Sequence, residues 1–470
     1  MALFYCCLGK GMIAVLLMTV LSGCIGRNTP DLNQELPENW NTSIPAHGHH
    51  IATNSWWKAF NDPVLNTLVE DALDNNLDIA QAVEGVKKAR ALNNAATSPF
   101  LPDFSAGLRT AQDAAARDNF LHSSIDMVWE LSLYGETANT RQASGAVILS
   151  AQAQAQGIRI AVVANVVQNY LRYTYTGQKL ALMSSQETIE KRSLKLSALR
   201  RIAHIGSDEE RIDSLLRMAN LQANIIELEQ VKAQSSRALS LLTNKTQAQI
   251  VRLLHDKVIA IPAVRIEEVP ADLLRIRPDI LQVEADVLRS AADVGLAKAA
   301  LYPRLTLSGS ILYAYNTNNY QRSNNNPLFF APAIDIPLWN WGQRLAIKHA
   351  KEYELQAALL AYRKTIQDSI IETEDALSAL ASQNQRVKAL RIALEQKKHL
   401  SDIQQKLEQL GLSSEYDGLS GQSTILQGES ELAEAQFRHA SALVTLYKAL
   451  GGAPLSATNE PFSSDSEGRG

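Results

Sequence analysis

The chain has 470 residues, of which only 6% are aromatic, and a formal net charge of −4 at pH 7. This charge excludes the broad basic surface of a nucleic-acid-binding protein. Long stretches of Ala, Leu, Gln, Glu, Lys and Arg favour long helices over a compact mixed core. The three cysteines, Cys6, Cys7 and Cys24, all lie near the N-terminus. The rest of the chain can therefore form neither a disulfide framework nor a thiolate metal site.

The N-terminus carries an export signal. Residues 11–20 form an apolar run that is long enough for a signal-peptide core and too short for a membrane-spanning helix. The Leu-Ser-Gly-Cys24 sequence that follows resembles a lipobox, in which the cysteine thiol carries a diacylglycerol. We expect a signal peptide over 1–23, lipidation at Cys24 and a lipidated linker over 24–55; the alternative is an ordinary secretory signal with a chance cysteine. Ile25, rather than aspartate, is typical of lipoproteins sorted to the outer membrane.

The chain repeats itself at a constant offset of 201 residues. Residues 78–102 align with 279–303 without a gap, so that Pro102 meets Pro303. In both copies a helical stretch ends at this proline, which cannot continue the helical hydrogen bonds. The sequence therefore predicts a first repeat over 56–262 and a second over 263–453. A disordered tail is expected over 454–470.

Each proline is followed by residues that alternate at period two, which indicates a strand with two different faces. The predicted β-hairpins cover about 103–132 and about 304–338. Apolar positions on one side of these strands are Phe104, Ala106, Leu108, Ile125, Met127, Trp129, Leu305, Leu307, Ile311, Phe330, Ile334, Ile336 and Leu338. The opposite positions are mostly small or polar.

Beyond each hairpin the sequence predicts long helices. No proline occurs from about Asn139 to Ala203, a length of roughly 98 Å at the α-helical rise. Apolar residues recur at seven-residue steps, which favours coiled-coil packing; on the second helix these include Ile212 and Ile226. Each pair of long helices is interrupted once. The first interruption has Gly206, Ser207 and Glu210, and the second has Gly411, Leu412, Ser413, Ser414 and Asp417. These patterns indicate a terminal glycine followed by a helix cap, and hence two hairpin tips.

Four amphipathic strands per chain imply association. An open four-stranded sheet cannot lie in lipid, because its edges would leave backbone groups without hydrogen bonds. Closed membrane barrels have about eight strands or more. The strands must therefore join those of sister chains in a shared barrel, or else form a soluble β-sandwich. No later segment has 18 consecutive apolar residues, so we expect no membrane-spanning helix.

The chain resembles the TolC-like outer-membrane factors, and within them the NodT-type efflux lipoproteins, over about residues 30–453. Four segments carry the resemblance: Trp56-Trp57-Lys58-Ala59-Phe60-Asn61-Asp62-Pro63, Val269-Pro270-Ala271-Asp272-Leu273-Leu274-Arg275-Ile276-Arg277-Pro278-Asp279, Ala299-Ala300-Leu301-Tyr302-Pro303 and Leu446-Tyr447-Lys448-Ala449-Leu450-Gly451-Gly452. The Arg-Pro-Asp and Lys-Ala-Leu-Gly-Gly segments are specific when they occur together in this order.

The resemblance implies a mainly α protein with membrane β-structure. Three chains would share a 12-stranded β-barrel in the outer membrane of a Gram-negative bacterium and continue as a long periplasmic α-helical barrel. Such ducts serve as passive exits for drugs and other small toxic compounds. Their partners are a periplasmic adaptor (membrane fusion) protein, which we expect at the tips formed by Gly206, Ser207, Gly411, Leu412 and Ser413, and an inner-membrane transporter, usually proton-driven. Neither a cofactor nor a metal is implied.

The family also places a closed periplasmic aperture just beyond the second tip. Its members carry an aspartate there and, three residues later, an arginine. The matching residues in this chain are Ser420 and Ser423, with Gln422 kept. This departure argues against an aperture locked by salt bridges. Two hypotheses stay open: Asp417, one turn earlier, supplies a substitute acidic ring, or the closed state is less stable.

Other functions have weaker support. The sequence contains no HExxH motif, no phosphate-binding loop and no nucleophile elbow, so we do not expect an enzyme. Three histidines, His47, His49 and His50, are more consistent with a solvated linker than with a metal site. The remaining alternatives are a type I protein-secretion duct, whose members usually lack a lipobox, and a lipid-anchored periplasmic coiled-coil scaffold without a channel.

Overall fold

The computed structural model describes residue 32 and residues 53–113, 118–255, 276–316 and 328–452. The expected signal peptide, Cys24, the three clustered histidines and the expected tail over 454–470 lie outside these residues.

Helices dominate the described residues. Two short 3₁₀ helices cover Thr53–Phe60 and Ser98–Phe100. The α-helices are α1 (Pro63–Asn75), α2 (Leu77–Ala96), α3 (Glu136–Ile202), α4 (Asp208–Thr243), α5 (Gln247–Leu253), α6 (Pro278–Ala299), α7 (Gln343–Gln409) and α8 (Glu415–Ala449). The strands are β1 (Asp103–Asp113), β2 (Asp118–Leu131), β3 (Arg304–Asn316) and β4 (Leu328–Asp335). Strand β4 ends before Ile336 and Leu338, which the alternation had placed in the strand.

The sequence repeat recurs in the elements. Strands β1 and β3 begin 201 residues apart, at Asp103 and Arg304. After the hairpins the offset is 207, because α3 and α7 begin at Glu136 and Gln343 and both contain 67 residues. The second hairpin is therefore six residues longer than the first. Every helix boundary at the tips keeps the new offset, since α4 and α8 begin at Asp208 and Glu415.

The four strands form one antiparallel sheet in the order β1-β2-β3-β4. The central pairing joins the two repeats, because β2 of the first repeat pairs with β3 of the second from Phe120 opposite Asn316 to Leu131 opposite Leu305. Within each repeat the hairpin strands pair directly, with Asp103 opposite Val128 and Arg304 opposite Asp335. Strands β1 and β4 are the two edges.

The chain divides into two compact units, and each takes residues from both repeats. The first unit contains residues 1–34, 84–153 and 281–365, with the sheet. The second contains residues 35–83, 154–280 and 366–470, with the main core and both tips. The repeats at 56–262 and 263–453 thus remain a proposal about sequence organisation, since the compact units follow different boundaries.

The core of the second unit lies around the Trp-Trp segment at the start of the described chain. Trp56 stacks on Tyr447 with ring centroids 5.0 Å apart. Asp62 caps α1 by accepting hydrogen bonds from Val64 N–H (2.9 Å) and Leu65 N–H (3.2 Å), and its second oxygen accepts from the hydroxyl of the buried Tyr170 at 3.0 Å. The segment from Trp56 to Pro63, one of the four that carry the family resemblance, therefore helps to form this core and to begin α1.

Helix α3 contains an 18-residue window that is apolar enough to span a membrane by length and composition. The sequence had led us to expect no such helix. Val166, Val167 and Tyr170 of α3 are nonetheless buried in the core with Trp56 and Leu65. At these positions the helix contacts protein, although only 22% of the apolar window is buried within the chain.

Helix α4 buries a different stripe from the one that the heptad spacing predicts. Ile212 and Ile226 are exposed, whereas Ser214, Leu221 and Ser235 are buried. These buried positions are also separated by multiples of seven residues, but each lies two residues further along the helix than a position of the predicted stripe. The Ile212–Ile226 stripe is therefore exposed in the single chain, and the small side chains of Ser214 and Ser235 lie on the buried side of the helix.

Candidate functional site: a two-faced sheet and two helix tips

The register places the apolar strand positions of both repeats on one face of the sheet. Phe104 lies opposite Met127, Met127 opposite Gly309, and Gly309 opposite Phe330. Because side chains alternate along each strand, the whole row lies on one side. The face contains Phe104, Ala106, Leu108, Ile125, Met127, Trp129, Leu305, Leu307, Gly309, Ile311, Leu328, Phe330, Pro332 and Ile334. Such a face is suited to contact with lipid.

The opposite face carries the polar side chains. Asp126 on β2 accepts hydrogen bonds from the hydroxyls of Ser310 (2.6 Å) and Ser124 (2.8 Å). Arg304 on β3 lies 3.7 Å from Glu130 on β2. An interior of charged and hydroxyl groups is typical of the water-filled side of a membrane barrel. The two-faced pattern predicted from the sequence is therefore present on β1, β2 and β3, whereas β4 contributes Phe329, Ala331, Ala333 and Asp335 to this face.

The first helix tip differs in detail from the prediction. The left-handed residue that ends α3 is His204, with φ 57°, rather than Gly206. Gly206 is required by close approach instead, since a Cβ there would lie 2.8 Å from Cβ of Arg200. The Ser207 hydroxyl accepts from Glu210 N–H at 3.2 Å, as expected of an N-cap. The Glu210 carboxylate faces Arg200 at 3.4 Å, so only the serine half of the expected capping box forms.

The second tip has the complete cap. Gly411 has φ 71°, and it lies 207 residues after His204, its structural equivalent. The Ser414 hydroxyl accepts from Asp417 N–H at 3.3 Å, and the Asp417 carboxylate accepts from Ser414 N–H at 3.2 Å. The hydrogen bond from the Ser414 hydroxyl, followed by that from its N–H, lowers the pKa of Asp417 below its ordinary value. Asp417 is exposed at the N-terminal end of α8, where these hydrogen bonds favour its ionised form.

Both tips expose large apolar side chains. Ile202 and Ile205 are exposed at the first tip, and Leu410 and Leu412 at the second, with Leu412 74% exposed. Exposed apolar groups at the end of a helical hairpin are typical of a surface that contacts another protein. The five tip residues predicted for adaptor docking lie among these groups.

The two aperture serines are in different environments. Ser420 is exposed on α8. Ser423 is partly buried, and its hydroxyl accepts a hydrogen bond of 2.7 Å from the Gln186 amide on α3. The structure thus ties Ser423 to another helix of the same chain, whereas Ser420 and Asp417 both remain at the surface.

Sequence reasoning missed the polar network behind Ser423. Gln186 also donates to Glu190 at 2.8 Å, and Glu190 is buried and accepts from Arg217 of α4 at 3.0 Å. Arg217 donates further to Ser214 at 3.0 Å. A buried carboxylate requires such partners. These residues lie far apart in the sequence on three helices, and no motif or spacing predicts that they are in contact. The network joins α3, α4 and α8 below the tips.

A surface ion pair adds a second link between α3 and α8. Arg192 lies 2.7 Å from Glu415, with both side chains exposed. The guanidinium of Arg200 lies 5.4 Å from the ring centroid of Tyr416. Exposed pairs of this kind contribute at most about 1 kcal/mol each.

Comparison with known proteins agrees with this architecture. Residues 68–245 and 269–452 match the family described as outer membrane efflux protein. Nodulation protein T of Rhizobium leguminosarum bv. viciae is 26% identical over 452 residues, which cover 93% of this chain and 91% of that protein. Outer membrane protein OprJ of Pseudomonas aeruginosa is 26% identical over 471 residues, which cover 94% and 95%. The solved structure of the outer-membrane channel OprN has a TM-score of 0.77 at 23% identity and covers 91% of this chain and 99% of that chain.

The matched segments account for the great majority of the described residues, and one lies in each repeat. The predicted fold class, mainly helical with four strands per chain, is confirmed by the elements and by the likeness to OprN. The predicted resemblance to NodT-type proteins is confirmed as well. The chain belongs to the outer membrane efflux protein family and is an efflux protein of the outer membrane.

Proposed function

We propose that three copies of the chain close a 12-stranded β-barrel in the outer membrane and form a passive exit duct for drugs and other small toxic compounds. The observation that carries this proposal is the continuous apolar face of a sheet whose two edges are free. One chain supplies four strands. Four are too few to close a barrel, and three chains supply twelve, within the range of membrane barrels. The polar face around Asp126 and Arg304 then lines the duct.

The lipid anchor at Cys24 is part of this proposal. Its support is the position of the Leu-Ser-Gly-Cys24 sequence directly after the apolar run. Each buried CH₂ of an acyl chain contributes about 0.8 kcal/mol, so two or more chains anchor a protein stably. The anchor adds to the barrel and is not required to keep the barrel in the membrane.

The aperture is proposed to lie at the start of α8. Asp417 and Ser420 are exposed there, and the ionised Asp417 would form an acidic ring of three carboxylates in a trimer. Ser423 supports the alternative hypothesis of a less stable closed state, because its hydroxyl holds α3 through Gln186 without any charge. Opening would break this bond and the exposed Arg192–Glu415 pair.

The partners are proposed from the tips. A periplasmic adaptor would cover Leu412 and its apolar neighbours around Gly206, Ser207, Gly411 and Ser413. An inner-membrane transporter, proton-driven in the NodT-type branch, would load the duct. The channel itself would perform no chemical step.

Planar bilayer recording on purified protein with Cys24→Ala tests the duct. We expect discrete conductance steps from a protein that still needs detergent for solubility. A coiled-coil scaffold without a channel would dissolve in water after loss of the anchor and would give no steps. A type I secretion duct would conduct too, but a deletion strain would then lose polypeptide secretion and keep its resistance to drugs and detergents.

A further inference from the structure

A carboxylate on the polar face of the sheet is fixed in place by hydrogen bonds. Asp126 lies on β2, and its Oδ1 accepts from the Ser310 hydroxyl on β3 at 2.6 Å. Its Oδ2 accepts from the Ser124 hydroxyl on the same strand at 2.8 Å. Both carboxylate oxygens are therefore held by hydroxyl groups. Because a hydroxyl is neutral, these bonds position the negative charge without cancelling it.

A second carboxylate on the same face of β2 has a different partner. Glu130 lies four residues further along the strand, and the guanidinium of Arg304 faces it at 3.7 Å. Arg109 on β1 also lies on this face, but it is opposite His122, which is four residues, or roughly 13 Å, from Asp126 along β2. The charge of Glu130 is thus compensated by a nearby cation, whereas the carboxylate of Asp126 is bonded to hydroxyls.

The residues around Asp126 are small. Ser105 on β1 and Ser310 on β3 lie directly opposite it. In the neighbouring row Gly107 lies opposite Ser124, and a Cβ on this glycine would lie 3.2 Å from the serine oxygen. These residues have no side chain long enough to cover the carboxylate. Asp126 therefore stays partly exposed on the polar side of the sheet.

An aromatic ring lies in the same row as this carboxylate. Phe329 on β4 is opposite Ser310, which in turn is opposite Asp126. Two strand spacings, about 10 Å, separate Phe329 from Asp126. The Phe329 side chain is 60% exposed, although it lies on the polar face. A carboxylate attracts organic cations by charge, and the face of an aromatic ring attracts them through its quadrupole. The row therefore combines two groups that favour the same kind of ligand.

We propose that Asp126 and Phe329 select lipophilic organic cations during passage through the duct. The inference rests on the proposed function and names the substrate class that the barrel favours. In a trimer the row repeats around the lumen, so that carboxylates alternate with aromatic rings. A narrow passage lined by one sign of charge raises the local concentration of counter-ions by about tenfold or more. Anions gain no such attraction, and the row discriminates by charge.

Block of the single-channel current by tetraphenylphosphonium, a lipophilic organic cation, tests this selection. The probe is added on the extracellular side of the purified protein in a planar bilayer, and the half-blocking concentration is measured. Asp126→Asn removes the charge and keeps the shape of the side chain, so we expect this concentration to rise about tenfold. Phe329→Leu removes the ring and keeps an apolar side chain, so we expect a rise of about threefold.

Two variants on the same face serve as matched controls. Glu130→Gln removes the carboxylate that Arg304 compensates. Ser310→Ala removes one hydroxyl partner, and the Asp126 charge remains. We expect both variants to keep the half-blocking concentration of the wild-type protein, because neither removes the uncompensated charge or the ring.

The outcomes separate the inference from the proposed function. Unchanged block in conducting channels of Asp126→Asn and Phe329→Leu overturns the inference, and the proposed duct stands. An equal rise for Asp126→Asn and Glu130→Gln also overturns it, because block then follows the total charge of the face. A rise for only one of the two row variants overturns the role of the other residue. If Asp126→Asn forms no channels, Phe329→Leu decides alone. Absence of conductance in the wild-type protein overturns the proposed function and the inference together.

Discussion

Arg277 and Ala449 lie 172 residues apart and are joined by a hydrogen bond of 2.5 Å from the guanidinium to the carbonyl oxygen at the end of α8. Arg277 also bonds Asp279 at 2.7 Å and Glu372 at 2.5 Å. Gly451, with φ 83°, lies against the backbone of Arg277. The Arg-Pro-Asp and Lys-Ala-Leu-Gly-Gly segments that carry the family resemblance are therefore two sides of one contact.

Substitution of Arg277→Met should destabilise the protein by about 2 kcal/mol, because the Ala449 carbonyl would lose its charged donor in a buried place. Arg277 is only 6% exposed. Thermal unfolding in detergent measures the effect. The control is Arg438→Met, which removes an exposed pair with Glu434 and should cost at most about 0.5 kcal/mol. Equal losses in the two variants would contradict a structural role for this contact.

The sequence predicted the elements well because their ends are marked by proline and glycine. The stretch without proline from about Asn139 to Ala203 became α3, Glu136–Ile202. Period-two alternation likewise predicted both faces of the sheet. Strand order and register depend on pairing between distant residues, such as Leu131 with Leu305, and single-strand patterns do not contain that information.

Other features depend on contacts that spacing does not encode. His204 takes the left-handed position that Gly411 takes in the second repeat, although histidine gives no such signal in a sequence. The Ser423–Gln186–Glu190–Arg217 network brings together three helices. The candidate aperture was found from the resemblance, but the different roles of Ser420 and Ser423 were visible only once their neighbours were known.

Asp417→Asn should reduce the cation selectivity of the channel, since a ring of carboxylates concentrates cations at a constriction. The reversal potential in a salt gradient measures this selectivity. The matched control is Glu210→Gln, which changes the equivalent position at the first tip, where the carboxylate faces Arg200. An equal shift from both variants would remove Asp417 from the proposed aperture.

The lowered pKa of Asp417 predicts the pH dependence of the same measurement. Because the folded-state pKa is below the ordinary value, the contribution of the cap to stability is fully present above the ordinary pKa. It is lost as the pH falls through the lowered pKa. Selectivity should therefore persist through the ordinary carboxyl range and decline only at more acidic pH. With Ser414→Ala, which removes the hydroxyl that accounts for the largest part of the shift, the decline should occur at a higher pH; an unchanged profile would contradict the role of the cap.

Leu412→Ser should abolish efflux in cells and leave single-channel conductance unchanged, because the exposed side chain is proposed to contact the adaptor and not the pore. Drug accumulation in a complemented deletion strain gives the cellular result. Leu77→Ser, at a similarly exposed leucine at the start of α2, is the control and should retain efflux. Full efflux by the Leu412 variant would place the docking surface elsewhere.

Cys24→Ala should remove the acyl mass of the mature protein while the protein stays in the outer membrane, since the barrel alone holds it there. Intact-mass spectrometry and membrane fractionation measure the two effects. The control is Cys7→Ala, which lies in the expected signal peptide and should leave the mature mass unchanged. An unmodified wild-type mass would contradict lipidation at Cys24.

In the proposed duct, one face of the sheet contacts lipid and the other contacts water. Leu307 and Ser308 are neighbours on β3 and lie on opposite faces, with Leu307 opposite Trp129 and Ser308 opposite Val128. A lysine on the lipid face of a membrane barrel costs about 2–4 kcal/mol near the middle of the membrane. The most direct test is therefore the fraction of protein that resists carbonate extraction from outer membranes for Leu307→Lys and for Ser308→Lys. We expect the Leu307 variant to be lost from the membrane and the Ser308 variant to be retained. Equal behaviour of the two variants, or the reverse order, would rule out lipid contact at the Leu307 face.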